Sequence, residues 1–247
     1  MITSAAMPPK ALVAGATGYT GQQVVAHLRE RGVDTIAHVR PDSSKLVDWT
    51  NRFEALGAVV DTTAWESETI AAMLADRAPT VVFALLGTTR ARAKREAAQG
   101  VPPEANSYER VDYGLTVMLL DGLAAAGLRS TRFVYLSSEG VKETKNPYLA
   151  VRHRIETRLR AGEQPFTIAR PSFITGPDRD ESRPGESIGA ALSDAALGLL
   201  GALGGRATRE RYRSITAREL AGALVHFGLS NEGATRTLRG DELRGFG

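Results

Sequence analysis

Apolar positions along the first two thirds of the chain alternate between two rhythms. Strands are expected at 11–14, 33–39 and 80–86, the first and last as apolar runs, separated by stretches where apolar residues recur every three or four positions. Unbroken runs suit strands covered on both faces of a parallel sheet, and the wider spacing suits amphipathic helices. Val24, Val25 and Leu28 mark the inward face of a first helix. Leu46, Val47, Trp49, Phe53 and Leu56 mark the face of a second, over 45–56, and a short strand follows at 58–60. A third helix over 67–75 is broken by Pro79. A long fourth helix over 106–126 places Val111, Leu115, Met118, Leu119 and Leu123 on one face, with Asp112 as the odd polar member, and Gly127 closes it. A strand over 132–136 leads to Asn146-Pro147, a cap residue followed by proline at the first helical position. A strand over 166–169, a helical spacing over 186–203, a helix over 216–227 and a late strand over 234–238 complete the pattern. Strands alternating with helices predict an α/β fold with a doubly wound parallel sheet. The expected organisation is a flexible start (1–9) and a single domain (10–247), of which 171–215 forms a small substrate-side cap.

The turn after the first strand carries the chemistry. Gly15, Gly18 and Gly21 are spaced three apart between that strand and the first helix. In a Rossmann fold such glycines turn the chain off the strand, let a pyrophosphate approach the backbone and allow close helix packing on the sheet. The helix N-terminus then offers amide N–H groups and a partial positive charge to the phosphates. About 20 residues further on, where an acidic side chain would take the adenosine ribose 2′-hydroxyl, the second strand ends in Arg40. A guanidinium there suits a 2′-phosphate, which favours NADP(H) over NAD(H). Asp42 is also placed to reach a ribose if the turn is tight, and Arg40 also reads as a solvated loop residue. The fourth strand ends in Leu86, Gly87 and Thr88, placed to pass a cofactor, because ligands sit beyond the carboxyl ends of parallel strands. Asp61 and Thr62 reach either an adenine or a helix cap.

Composition narrows the classes. Hydrophobic content is 43%, charged content 24% and net charge +3, with acids interspersed among arginines, which describes a mixed solvated surface and a small-molecule substrate instead of nucleic acid. With no cysteine, disulfides, thiolate metal sites and a cysteine nucleophile are excluded. The four histidines have no metal-ligand spacing. No stretch has transmembrane length and residues 1–9 lack a signal peptide's basic start, so a cytoplasmic protein away from membranes, a monomer or small homo-oligomer, is expected.

Several strings together resemble a known family. Gly15-Ala16-Thr17-Gly18-Tyr19-Thr20-Gly21, Leu86-Gly87-Thr88-Thr89-Arg90, Val111-Asp112, Leu136-Ser137-Ser138, Tyr148-Leu149-Ala150-Val151-Arg152, Arg170-Pro171 and Asp180-Glu181-Ser182-Arg183-Pro184-Gly185-Glu186 occur in this order. The chain resembles the atypical short-chain dehydrogenase/reductases and, more narrowly, the HTATIP2/TIP30 family of oxidoreductases. The resemblance implies that Thr17, Gly18, Tyr19 and Thr20 hold the pyrophosphate and adjoining ribose. Arg40 would take the 2′-phosphate, Leu86 and Gly87 would line the middle of the cofactor, and Ile174 and Arg183 would close over the nicotinamide. It implies that Tyr148 is the general acid/base for a carbonyl, and that Ser137 or Ser138 hydrogen-bonds the substrate oxygen. Arg152 stands where the family has lysine. A phenol ordinarily titrates near pH 10, and a fixed cation beside it favours the tyrosinate. Arginine supplies that charge and donors for a ribose, but it does not release its proton. The implied activity is hydride transfer between NADP(H) and a small carbonyl or alcohol. The alternatives are a regulatory or scaffold protein that binds NADP(H) without redox chemistry, and an isomerase or epimerase with a tightly held cofactor.

Overall fold

The computed structural model describes residues 8–88, 98, 100, 102–175 and 213–246. Strand β1 (Lys10–Ala14), helix α1 (Tyr19–Glu30), β2 (Asp34–His38), α2 (Leu46–Ala55), β3 (Val59–Asp61), α3 (Ser67–Arg77) and β4 (Val81–Ala84) come first. A 3₁₀ turn (Pro103–Asn106) and a π-helix (Tyr108–Gly114) run into α4 (Leu115–Ala125). Then follow β5 (Arg132–Leu136), α5 (Pro147–Ala161), β6 (Phe166–Arg170), β7 (Ile174–Thr175), β8 (Ile215–Thr216), α6 (Ala217–Leu229) and β9 (Arg236–Arg239). Seven strands form one sheet in the order β3-β2-β1-β4-β5-β6-β9, every pair parallel, and β7 and β8 pair separately. This is the expected doubly wound α/β fold, with its topological switch point between β1 and β4.

Each strand feeds two cores, because successive side chains leave a strand on opposite faces. Ala11 and Val13 join Val24, Val25, Leu28 and Phe53 under α1, α2 and α6. Leu12 and Ala14 join Ile70, Leu74, Leu119, Leu123 and Ile155 under α3, α4 and α5. The predicted cap at Asn146 is present, its Oδ1 accepting from the Leu149 amide at 3.2 Å, and Thr216 caps α6 likewise, its Oγ1 accepting from the Glu219 amide at 3.2 Å. Ala78 in the left-handed region (φ 44°) ends α3 before Pro79.

Two expectations need correction. The fourth helix is not uniform, since residues 108–114 are wound as a π-helix. The wider winding turns Asp112 into the interior, where it is 1% exposed, and such bulges are frequent at functional sites. The expected face of α2 is too broad: Phe53 is buried, whereas Val47 is 70% and Leu56 41% exposed. The helix covers the edge of the sheet beside β3 and has only a narrow stripe to bury. A Cβ on Gly21 would lie 2.1 Å from the Gly15 carbonyl oxygen, so its absence lets α1 pack closely against the turn at the end of β1. The predicted helix over 186–203, most of the 171–215 cap, and Thr89, Arg90 and Arg183 lie outside the described residues.

Candidate functional site

All strands of the large sheet run parallel, so the segments after β1, β2, β4, β5 and β6 share one edge, where an open α/β sheet binds its ligands. At the switch point the turn after β1 meets the segment after β4. Gly15 adopts φ +85°, and a Cβ there would lie 2.6 Å from the Leu85 carbonyl oxygen. The Gly18 amide donates to the Gly15 carbonyl at 3.0 Å and closes the turn. Gly18 itself is exposed and begins α1 with no side-chain cap, and the first turn holds no acidic residue. The result is a bare backbone rim at a helix N-terminus, shaped by three positions that a side chain would fill. Its amides and its positive end fit a pyrophosphate. Thr20 is buried, Thr17 is half-buried and accepts at its carbonyl from Gln22 Nε2, and Tyr19 Oη donates to the Thr175 carbonyl at 3.3 Å. That last contact brings β7, with the half-buried Ile174, against the turn.

Arg40 follows β2 on the same edge. It is exposed, and its nearest charged partner is Asp42 at 3.6 Å. Asp61, the alternative adenine contact, is committed elsewhere: Oδ1 accepts from the Thr63 amide at 3.0 Å, and Oδ2 lies 3.5 Å from Arg77.

The segment after β4 connects this rim to α5. Tyr148, Arg152 and Glu156 stand at i, i+4 and i+8, one stripe on that helix. Arg152 is buried, and its Nη1 donates to Asp112 Oδ1 at 2.7 Å. Asp112 Oδ2 accepts from the Thr88 amide at 2.9 Å. Its guanidinium lies 4.2 Å from the centroid of the Tyr148 ring, and Nη2 lies 3.6 Å from where a Gly87 Cβ would stand. Gly87 is exposed to the cleft, so its missing side chain opens the groove to that guanidinium. Burial pushes the Asp112 carboxyl up, opposed by Arg152 and the Thr88 amide. Burial works against the charge on Arg152, but Tyr135, Tyr148 and Asp112 outweigh it and hold the guanidinium protonated. Tyr108 meets the half-buried Tyr148 edge-on, ring centroids 5.4 Å apart. Beneath lies Tyr135, fully buried and held neutral by burial. Tyr135 Oη, Thr88 Oγ1 and Arg152 Nε are buried without a hydrogen-bond partner among the described residues.

The two candidate serines separate. Ser137 is buried and donates its hydroxyl proton to Glu156 Oε1 at 2.6 Å. Ser138 is half-buried, and its hydroxyl makes a 3.3 Å contact with the adjacent Glu139 carbonyl. Glu156 is fully buried and carries a full set of donors. Oε1 also accepts from Arg170 Nε at 2.8 Å, and Oε2 accepts from Arg160 Nη2 at 2.7 Å and from Arg170 Nη2. Burial alone would raise its pKa, but Arg170, Ser137 and Arg160 hold the carboxyl below its usual range. The roles of Asp112 and Glu156 were missed at the level of sequence. The four-residue spacing of Tyr148, Arg152 and Glu156 was the available signal for the second.

A family model described as NAD(P)H-binding matches residues 15–196. The chain belongs to this NAD(P)H-binding family. No curated protein sequence matches the chain. Among solved structures, a protein assigned as an epimerase from Burkholderia cenocepacia is 20% identical with a TM-score of 0.62, over 94% of this chain and 76% of that one. UDP-glucose-4-epimerase from Stenotrophomonas maltophila, with bound NAD and formylated UDP-arabinopyranose, is 17% identical with a TM-score of 0.62, over 93% and 77%. UDP-N-acetylglucosamine 4-epimerase from Bacillus cereus is 14% identical with a TM-score of 0.58, over 94% and 78%. At these identities the likeness is one of fold, and it places an NAD(P)H-binding family member among proteins built on the same sheet. Among the described residues, no group of histidine and acidic side chains is arranged to hold a metal, and no helix is long and apolar enough to cross a membrane.

Proposed function

We propose that this NAD(P)H-binding protein is an NADP(H)-dependent oxidoreductase of the atypical short-chain dehydrogenase/reductase type, akin to the HTATIP2/TIP30 oxidoreductases, acting on a small carbonyl or alcohol. The observation that carries the reading is the guanidinium of Arg152, which lies against both the Tyr148 ring and the open groove at Gly87. It joins a proton-donating phenol to the rim that fits a dinucleotide.

The nicotinamide, when bound, supplies or accepts the hydride at the substrate carbon. The chain's residues do the rest. The turn at Gly15, Gly18 and Gly21 binds the pyrophosphate through backbone amides, with Thr17, Tyr19 and Thr20 beside it. Arg40 takes the 2′-phosphate, exchanging its exposed contact with Asp42 for paired charge-assisted hydrogen bonds. Leu86, Gly87 and Thr88 line the middle of the groove, and Ile174 borders its far end. Tyr148 gives its proton to the carbonyl oxygen in reduction and recovers it in oxidation. Arg152, whose guanidinium lies over the Tyr148 ring, stabilises the phenolate left behind. Ser138 holds the substrate oxygen, because the proton of Ser137 is already donated to Glu156. Arg183, also assigned to the nicotinamide end, lies outside the described residues. The protein is expected to work in the cytoplasm as a monomer or small homo-oligomer, on small molecules.

A second reading has its own observation. Arg152 is locked to Asp112, and arginine does not pass a proton on, so a protein that binds NADP(H) and signals its level is the competing function. The experiment is a titration with NADPH and NADH followed by NADPH consumption on a panel of small carbonyls, for wild type, Tyr148→Phe and Arg152→Lys. NADPH binding with turnover that Tyr148→Phe lowers by about a thousandfold supports the enzyme. Binding without turnover in wild type and Arg152→Lys supports the regulator, and no binding of either nucleotide overturns both.

A further inference from the structure

Glu156 stands outside any contact with the groove, yet it collects the three elements that define the catalytic side. Through Ser137 it holds the end of β5, next to Ser138. Through Arg170 it holds the end of β6, just before the segment that reaches Ile174. Through Arg160, whose Nη2 also donates to Thr237 Oγ1 at 3.2 Å, it reaches β9. All of this hangs from the stripe on α5 that carries Tyr148 and Arg152. A helix resting on apolar contacts alone can roll by small angles at little cost. A buried carboxylate with four directional donors cannot, since each bond lost would strand a buried polar group.

We propose that Glu156 is a positioning residue, which fixes the roll of α5 against the ends of β5 and β6 and so sets where Tyr148 meets the substrate held at Ser138. The assignment rests on the oxidoreductase reading for its substrate, but the anchoring of α5 does not.

The test separates anchoring from simple stability. Replacing a buried ion pair by apolar side chains of similar volume commonly preserves the fold while removing its directional bonds. Glu156→Met combined with Arg170→Met is therefore compared with wild type in three measurements. The melting temperature is expected to stay close to that of wild type, and the NADPH affinity within about twofold, because the glycine rim lies on the other half of the sheet. Amide exchange over residues 148–152, measured with NADPH bound, is expected to speed up by about tenfold or more. For the carbonyl that wild type reduces fastest, kcat per folded molecule, with the folded fraction fixed by NADPH titration, is expected to fall by about tenfold with KM unchanged, which a loss of folded protein would not produce once that fraction is counted. A folded double variant with wild-type exchange over 148–152 and wild-type kcat overturns the proposal and leaves Glu156 as a structural anchor only. If wild type reduces no carbonyl, the oxidoreductase reading fails by itself and exchange decides this one: faster supports it, unchanged overturns it. Should the double variant not fold, Arg160→Ala removes one half-exposed partner of Glu156 and is read the same way, with about two- to threefold faster exchange expected.

Discussion

Around residues 15–21 the cleft is shaped by backbone, and around Tyr148 it is shaped by charged side chains. The rim after β1 is made by what is missing: a left-handed Gly15, an exposed Gly18 and a Gly21 whose absent Cβ lets the helix sit on its own turn. It contains no buried charge. The side facing α5 is the reverse. It encloses two carboxylates, Asp112 and Glu156, each answered by buried arginine. Even these two differ. Asp112 has one guanidinium and one amide, and burial pushes its pKa up. Glu156 has two guanidinia and a hydroxyl, and they pull its pKa down. A backbone rim tolerates loss of neighbouring charges and fails when a side chain is added, whereas a charged clamp tolerates volume changes and fails when one partner is removed.

The largest effect is expected where that clamp is broken. Asp112→Ala leaves the Arg152 guanidinium buried without its counter-charge and frees the Thr88 amide, and it should cost about 3–5 kcal/mol of stability in a denaturant titration. Adding Arg152→Met should return most of that loss, since the stranded charge is then gone. If the single variant loses less than about 1 kcal/mol, the pair is not the buried clamp described above.

On the backbone side the contrast is between neighbouring glycines. Gly21→Ala drives a methyl to 2.1 Å from the Gly15 carbonyl oxygen and is expected to cost about 1–3 kcal/mol or more, with NADPH binding lost. Gly18→Ala meets its nearest atom at 3.2 Å and faces solvent. It should leave stability within about 1 kcal/mol of wild type while weakening NADPH binding by about tenfold or more. Melting curves with and without nucleotide distinguish the two. Equal losses in both variants would mean that the turn is only structural. On the same rim, Arg40→Ala should weaken NADPH by about tenfold to a hundredfold and leave NADH nearly unchanged, by the strength of charge-assisted bonds to phosphate. A parallel loss for both nucleotides would remove the 2′-phosphate from Arg40.

Acid should separate the halves in another way. The pKa values of His38 and Glu156 are both lowered in the folded protein, the first by burial, which outweighs its bond to the Thr63 carbonyl, and the second by its donors. A lowered folded value contributes stability that is present above the unfolded value and lost as pH falls through the folded one. Stability should therefore decline below the ordinary histidine value of 6.5 and again below the ordinary glutamate value of 4.5. Asp112, raised by burial, acts in the opposite sense, favouring the fold at low pH and opposing it as pH rises. His38→Asn should reduce the first step, which His27, also lowered by burial, shares, and the apolar replacement of Glu156 with Arg170 should flatten the second. Melting temperature against pH for the three proteins is the measurement.

The same contrast explains what could be read in advance. The rim was legible because glycine spacing, a preceding strand and a following helix are local, and so was the cap at Asn146. The clamp was not, since its bonds join residues 40 and 14 positions apart, and the π-winding that turns Asp112 inward leaves no mark in a periodicity built on regular helix. Ser137 and Ser138 were indistinguishable in sequence, because only the partner on α5 tells which hydroxyl is occupied.

The smallest expected effect probes a place where periodicity overreached. Leu46, Trp49 and Phe53 of α2 do pack toward the core under β1 and β2, and Phe53 is fully buried. Val47 shares their apolar character but not their direction: one residue turns a helix by about 100°, and at the margin of a sheet no second neighbour waits on that side. It is therefore 70% exposed. Val47→Lys should change stability by less than about 0.5 kcal/mol in a denaturant titration, while Phe53→Ala, on the stripe that does find a partner, should cost about 3–5 kcal/mol. A large loss from Val47→Lys would mean that α2 meets another surface, because a lysine at this exposed position has nothing to disturb among the described residues.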